Sequence, residues 1–510
     1  MTRTPCYLIA ALLAFLCACK PQAEEAPPNI IYILADDLGY GELGCYGQEK
    51  IETPHLDALA ASGMRFTQHY AGSPVCAPSR CVLLTGRHTG HAYIRGNDEW
   101  RERGEVWNYA KAVENPELEG QRPIPDVPTI GSMLQAAGYR TAIVGKWGLG
   151  APLTEGIPNK RGFDFFYGYN CQRQAHNLYP RHLWRNQEKE WLNNELIVPG
   201  TKLEPGADTL DPGSYARFIQ QDYAPAKMLD AALEFMEQNK HEPFFLYFAS
   251  PLTHVPLQVP PAYVETYHQK FGDERPYLGQ RGYFPHRYPR AAYAAMLSYL
   301  DEQVGALVAK LKEMGVYERT LIIFSSDNGP SYNGGTDSPF FNSAGPFKCE
   351  YGWGKGFTHE GGIRVPMIAS WPGKISAGSE TDHISAFYDV MPTLAEVAGI
   401  QQPPESDGIS FLPSLLGRGK QLAHEYLYWE FPAYKGQQAV RMGKWKGIRR
   451  NIFEGNMDIE LYDLEKDLQE LHDVAEAQPE VVARMAEIMQ QAHTPASIAR
   501  FRFPQLGDPQ

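Results

Sequence analysis

Four sets of reactive side chains stand at or just beyond the ends of short apolar runs. Asp36-Asp37 follow the run 30–34, Lys146 follows 141–144, His254 lies beyond 244–248, and Asp327-Asn328 follow 321–324. Asp36, Asp37, Asp327 and Asn328 offer only oxygen, the donor set of a hard cation such as Ca²⁺ or Mg²⁺, whereas zinc prefers His and Cys. Any one of these pairs alone reads as a turn or a helix cap. Lys146, and Lys355 further along, can hold the oxygens of an anion as point charges. His254, with an ordinary imidazole value of about 6.5, can give a proton to a departing alcohol.

A further group lies in Ser73-Pro74-Val75-Cys76-Ala77-Pro78-Ser79-Arg80. Pro78 suits the first turn of a helix that runs toward Leu84 and ends at Gly86. Cys76 then sits at the helix N-terminus, where the macrodipole favours negative charge on the side chain or on a bound anion. The plain alternative is a small, buried apolar residue. Arg80, one turn on, is placed to steady a charged group at Cys76.

Bringing these groups together takes strands that deliver their residues to one edge. The runs 30–34, 141–144, 244–248, 321–324 and 365–369 read as strands. Helices are expected from Thr53-Pro54 to Gly63, over 129–137, over 226–238 and over 290–314. That alternation predicts an α/β fold with a largely parallel sheet. Ligands of such sheets bind beyond the carboxyl ends of the strands. Near residue 420 the pattern changes: 426–429, 440–448 and 460–464 read as strands and 479–492 as a closing helix. The chain therefore divides into a larger part, 29–420, and a small antiparallel sheet with a helix in 421–510.

Hydrophobic residues make up 43% and charged residues 21% of the 510, an ordinary globular composition with material for a large core. A formal net charge of −13 argues against coating nucleic acid or an anionic membrane. It leaves room for a small basic pocket. At the N-terminus, Arg3 precedes an apolar run, 8–18, too short to span a bilayer. Leu16-Cys17-Ala18-Cys19 resembles a bacterial lipoprotein cleavage box. Residues 1–18 then read as a leader, Cys19 as the lipid-bearing residue and 19–28 as a linker, with plain secretion as the alternative. The chain is expected to cross the inner membrane of a bacterium and to work in the periplasm or as an outer-membrane lipoprotein. Of 8 cysteines, Cys45, Cys76, Cys81, Cys171 and Cys349 lie beyond the leader, an odd and sparse set that is no disulfide scaffold.

The segment Cys76-Ala77-Pro78-Ser79-Arg80, continuing to Leu84-Thr85-Gly86-Arg87, resembles the signature of the sulfatases of the alkaline phosphatase superfamily. Asp36-Asp37, Gly145-Lys146-Trp147, Asp327-Asn328-Gly329, Glu360-Gly361-Gly362-Ile363-Arg364-Val365-Pro366 and Leu461-Tyr462-Asp463-Leu464 fit the same family in order. The resemblance covers nearly the whole mature chain. It implies an alkaline phosphatase-like fold: a large mixed, mostly parallel sheet flanked by helices, with a smaller C-terminal domain of antiparallel strands and a helix. It also implies that a maturation enzyme oxidises Cys76 to formylglycine. One Ca²⁺ would be held by Asp36, Asp37, Asp327, Asn328 and the modified Cys76. Lys146 and Lys355 would grip the sulfate, Arg80 would orient the modified residue, and His254 would protonate the leaving alcohol. Hydrated formylglycine would attack sulfur with one hydroxyl and expel sulfate by collapse through the other. Two departures stand out. Gly148 occupies a position where many relatives have histidine, and the stretch 347–353 is longer than usual, which makes Lys348 a competitor of Lys355. The spacing to Glu360 favours Lys355.

The leader, Thr89-Gly90-His91, Ile94-Arg95-Gly96-Asn97 and Gln172-Arg173-Gln174-Ala175-His176-Asn177 resemble the carbohydrate sulfatases of bacteria. The resemblance implies a sulfated, galactose-configured sugar read by His176, with Arg95 and Asn97 beside it. Simple packing of these loops at the rim is the plainer reading. Two other functions stay open. One is a phosphoesterase or phosphonate hydrolase of the same superfamily, against which the scarcity of histidines beside the metal-binding blocks speaks. The other is a non-catalytic lipoprotein that binds sulfated glycans.

Overall fold

The strand Asn29–Ala35 (β1) is apolar without alternation because both faces of its sheet are covered. Ile30, Tyr32 and Leu34 enter one core, and Ile31, Ile33 and Ala35 enter the other. Each such aliphatic side chain contributes roughly 1.5–3 kcal/mol by leaving water. The computed structural model describes residues 27–509. The expected leader, Cys19 and most of the linker lie outside the described residues.

The sheet continues with Met64–Tyr70 (β2), Arg140–Lys146 (β3), Phe165–Tyr169 (β4), His182–Arg185 (β5), Glu188–Trp191 (β6), Phe244–Ala249 (β7), Thr320–Ser326 (β8), Arg364–Ser370 (β9), Ser379–Thr381 (β10) and Ser385–Ala386 (β11). The order is β10-β2-β9-β8-β1-β7-β3-β4-β5-β6, with β11 also on β2. The centre, β8-β1-β7-β3-β4, is parallel, and both flanks carry antiparallel pairs. Register aligns the carboxyl ends: Ala35 faces Ser326, Leu34 faces Ala249, and Gly145 faces Ala249. The residues that follow these strands therefore emerge side by side.

Helices cover both faces. Pro54–Ala61, Cys76–Thr85, Ile130–Ala136, Ala224–Gln238 and Pro289–Glu313 correspond to the expected ones. Thr129 starts one of them through a capping box with Ser132. Ala224–Gln238 lays Met228, Ala231, Ala232, Phe235 and Met236 against the sheet in one stripe. Among the described residues no helix is long and apolar enough to cross a membrane. Cys45, Cys76, Cys81, Cys171 and Cys349 are all free thiols.

A second sheet holds Leu427–Phe431 (β12), Gln437–Met442 (β13), Trp445–Arg450 (β14) and Glu460–Asp463 (β15), all antiparallel. The single strand expected over 440–448 is two strands. Met442 pairs with Trp445 across a two-residue loop, and Gly443 takes the positive φ of 56° that its first position needs. One face of this sheet packs Tyr428, Val440 and Leu461 on Met485, Ile488 and Met489 of the helix Pro479–Gln491. The other face sends Trp429, Ala439, Ile448 and Tyr462 into the core of the large sheet.

The chain end is tied back by charge. Glu430, fully buried, takes hydrogen bonds from Arg95, Tyr428 and His493, while His493 Nε2 lies 2.8 Å from Asp508. Burial alone would lower the His493 value, but Glu430 and Asp508 outweigh it and raise it above the usual histidine range. A group raised on folding adds stability that is complete below its unfolded value and fades as pH rises through the folded value. The thermal midpoint is therefore expected to fall as pH climbs above about 6.5, and His493→Gln should flatten that slope. An unchanged slope in the variant would exclude this histidine as its source.

Candidate active site

The parallel centre of the sheet delivers Asp36 from β1, Lys146 from β3, His254 from beyond β7 and Asp327 from β8 to one edge. The loops after β1 and β7 are stitched together: Asp36 N donates to Leu252 O and Thr253 N donates to Asp36 O, both at 2.8 Å. Asp37 sits in the left-handed region at φ 63°, a strained place for a residue with a Cβ, and its N–H donates to Asp327 Oδ1 at 3.1 Å.

Cys76 is the first residue of its helix and is 2% exposed. No side chain of Val75 caps that end; Asn97 Oδ1 instead accepts from Ala77 N at 3.1 Å. Burial raises the thiol above its ordinary value, although Lys146 and Lys355 pull the other way. Arg80, one turn on, is fully buried. Its Nε and Nη2 donate to Asp327 Oδ2 at 3.0 and 2.9 Å, and its Nη1 to the Lys146 carbonyl at 2.7 Å. Arg80 thus fixes Asp327 and the end of β3 together.

The two lysines each meet a carboxylate. Lys146 Nζ lies 2.5 Å from Asp36 Oδ2, and Lys355 Nζ lies 2.6 Å from Asp37 Oδ2. Burial would discharge them, but Asp36 and Asp37 hold both above the usual lysine value. Asp36 shows the reverse balance: burial raises it, and Lys146, His254 and Arg80 together bring it below the usual carboxylate range. Asp327 and Asp37 remain raised by burial, Asp327 also by the neighbouring Asp36.

His254 is 3% exposed and shares a hydrogen bond between Nδ1 and the Val255 carbonyl, which leaves Nε2 toward Asp37 Oδ2 at 3.7 Å. Burial, then Lys355, drives its value well below the ordinary one, so the ring is neutral near pH 7. His176 stacks on it, with ring centroids 5.3 Å apart and planes within 11°, and Tyr283 closes the group edge-on at 5.1 Å from His176.

These side chains surround a cavity of about 330 Å³ lined by Cys76, Asn97, Lys146, His176, His254 and Lys355. Residues that sequence reasoning missed complete it: Glu99, Trp107, Gln172, Tyr283, Tyr332 and Tyr434. Gln172 lies in a run already singled out. Phe431, Ala433 and Tyr434 come from the second sheet and its following loop, and nothing local in sequence points at them.

Two expectations change. Arg95 does not face the cavity. Its guanidinium is buried against Glu430 and Thr494, so it anchors the chain end to the loop before it. Lys348 pairs with Glu350 at 3.0 Å and lies over the Trp353 ring; of the two candidate lysines, Lys355 lines the cavity.

The fit of a hard cation can be read from unpaired oxygens. Asp36 Oδ1 and Asn328 Oδ1 are buried with no hydrogen-bond partner, although Asn328 Nδ2 donates to Asp37 Oδ1 at 2.8 Å. Single ligand atoms of Asp36, Asp37, Cys76 and His254 lie within 4.8 Å of one another. Oxygens left bare beside further carboxylates suit a calcium-like ion.

A family model described as Sulfatase matches residues 28–400, and one described as N-sulphoglucosamine sulphohydrolase, C-terminal, matches 349–494. The chain is similar to arylsulfatase A of Bos taurus, 36% identical over 83% of this chain and 75% of that one. It is also similar to N-acetylgalactosamine-6-sulfatase of Sus scrofa, 33% identical over 82% and 71%. Among solved structures, Ps i-CgsB superposes with a TM-score of 0.70 at 28% identity, covering 91% of this chain and 92% of that one.

The buried charge network makes a stability prediction. Arg80→Met leaves Asp327 without its cation and Asp36 with Lys146 alone, and is expected to cost about 3–5 kcal/mol, read as the loss of unfolding free energy in urea. A loss below about 1 kcal/mol would mean that the Arg80 pairs are not holding the strand ends.

Proposed function

The chain belongs to the sulfatase family and is a sulfuric ester hydrolase, and from that premise we propose that it removes sulfate from a galactose-configured sugar through formylglycine made from Cys76, with calcium at Asp36, Asp37, Asp327 and Asn328. The observation that carries the proposal is the convergence of Cys76, Lys146, Lys355 and His254 on one small cavity, with Lys146 bonded to Asp36, whose Oδ1 is buried and unpaired. The relative named N-acetylgalactosamine-6-sulfatase and the Ps i-CgsB structure in complex with k-i-k-neocarrahexaose support a carbohydrate ester.

Asp36, Asp37 and Asp327 balance Arg80, Lys146 and Lys355 charge for charge. A divalent ion held by Asp36, Asp37, Asp327 and Asn328 would compensate those carboxylates, which would leave Lys146 and Lys355 free for an arriving anion. When bound, the ion supplies stabilisation of charge spreading over the sulfate oxygens. Formylglycine, once formed, supplies a hydrated aldehyde with one hydroxyl to attack sulfur and another to drive sulfate release. Lys146 and Lys355 hold the sulfate oxygens and orient the ester. Negative charge on an arriving ester raises the His254 value from that of the free site, and a proton on its Nε2 could be passed to the departing oxygen. Residues 29–420 carry this machinery, and 421–510 add one wall of the cavity. A secretory leader in 1–18, with the chain working outside the cytoplasm, accords with this reading.

Two measurements test it. Co-expression with a formylglycine-generating enzyme should convert Cys76, seen by peptide mass, and Cys76→Ala should lower sulfate release by at least about 1000-fold. A thiol that persists in a competent host would end the nucleophile assignment. His254→Asn should slow a sugar sulfate roughly 100- to 10,000-fold but an aryl sulfate with an acidic phenol much less, since that leaving group needs no proton. Equal slowing of both esters would assign His254 another role.

A further inference from the structure

At the carboxyl ends of β3 and β4 the cavity has a side that the charged groups leave unused. Gly148 adopts a left-handed φ of 76°, and a Cβ there would meet nothing nearer than Gln172 Oε1 at 3.5 Å. Its surroundings are the side chains of Gln172 and Gln121. Gln172 lines the cavity, is 6% exposed, and its Oε1 is buried without a hydrogen-bond partner. Behind it, Gln121 Nε2 and Asn170 Oδ1 are in the same state. The segments are fixed to one another: Gln172 N donates to Gln121 Oε1 at 3.2 Å, and Gly148 N to Asn170 O at 3.1 Å.

Glu99 belongs to the same group. It bridges Gln121 through the backbone, lines the cavity, is 6% exposed, and accepts the Cys171 thiol on Oε2 at 3.3 Å. Burial pushes its carboxyl up to about 7, so it can both donate and accept near neutral pH. Buried polar atoms in a native fold are nearly always paired. An unpaired one on a residue of the cavity wall, Gln172 Oε1, asks for a ligand that brings a hydrogen-bond donor.

We infer that Glu99 and Gln172 form a subsite for hydroxyl groups of the sugar ring that carries the scissile sulfate. This rests on the sulfatase reading above. A hydroxyl donates and accepts, so it satisfies an amide in either orientation. A second sulfate or a carboxylate offers only acceptors, so it cannot satisfy Gln172 Oε1, and it is repelled whenever Glu99 is ionised. The subsite selects a ring that is uncharged where it meets Glu99.

The test compares kcat/KM for the positional isomers of galactose monosulfate with that for para-nitrophenyl sulfate, which has no sugar ring, using the matured full-length enzyme. Glu99→Gln and Gln172→Met are expected to lower the preference for the best galactose monosulfate over the aryl ester roughly 10- to 100-fold. Glu99→Gln should also narrow the wild-type discrimination against galactose disulfates. Thermal midpoints near wild type identify the folded variants. A preference ratio that stays the same in folded variants overturns the subsite, as does a wild-type enzyme that favours no galactose monosulfate over the aryl ester. Absence of sulfate release from every ester by wild type overturns the sulfatase reading instead, and the subsite with it.

Discussion

Three carboxylates buried at one edge of a sheet demand positive charge, and much of this structure answers that demand. Unpaired, Asp36, Asp37 and Asp327 would cost several kcal/mol each. Arg80, Lys146 and Lys355 meet them at hydrogen-bond distances, and Arg80 and Lys146 are buried. That pairing explains why an arginine can be fully buried in the middle of a helix and why β3 ends on a lysine. It also sets the electrostatics of the cavity, since Lys146 and Lys355 are each engaged by a carboxylate.

Around that network the chain separates tasks. The parallel strands fix the charged groups, because their register is locked by continuous apolar runs on both faces. The loop after β4 brings Gln172 and His176, and the loop after β7 brings a histidine held neutral by burial. The second sheet contributes aromatic rings. Tyr434 stands at φ 48° between Phe431 and the ring of Phe357, with its hydroxyl 3.3 Å from that of Tyr332. An uncommon backbone conformation at a cavity wall is the kind of strain that packing elsewhere must support.

Much of the site was legible in the sequence because its residues follow strands. An apolar run that stops at Asp36, Lys146 or Asp327 announces both the strand and the place where it delivers a side chain. The cysteine helix was readable from Pro78 and Gly86. Arg95 was misplaced because a polar residue in a promising loop gives no sign of its direction, and its partner Glu430 is far away in sequence. Gly443 was passed over within 440–448 because flanking β-type residues outweighed one turn signal. Glu99 and Tyr434 were invisible for a deeper reason. Their roles come from which distant segments the fold lays against the cavity, and no local pattern encodes that.

The wall supplied by Phe431, Ala433 and Tyr434 also imposes an order of events on the chain's life. Cys76 is made before these residues and ends 2% exposed on the same cavity. If its sulfur is altered as proposed, the altering enzyme would reach it before the late sheet docks. Speed of folding and completeness of modification are then in competition, and a slower-docking C-terminal sheet would yield a larger share of altered molecules.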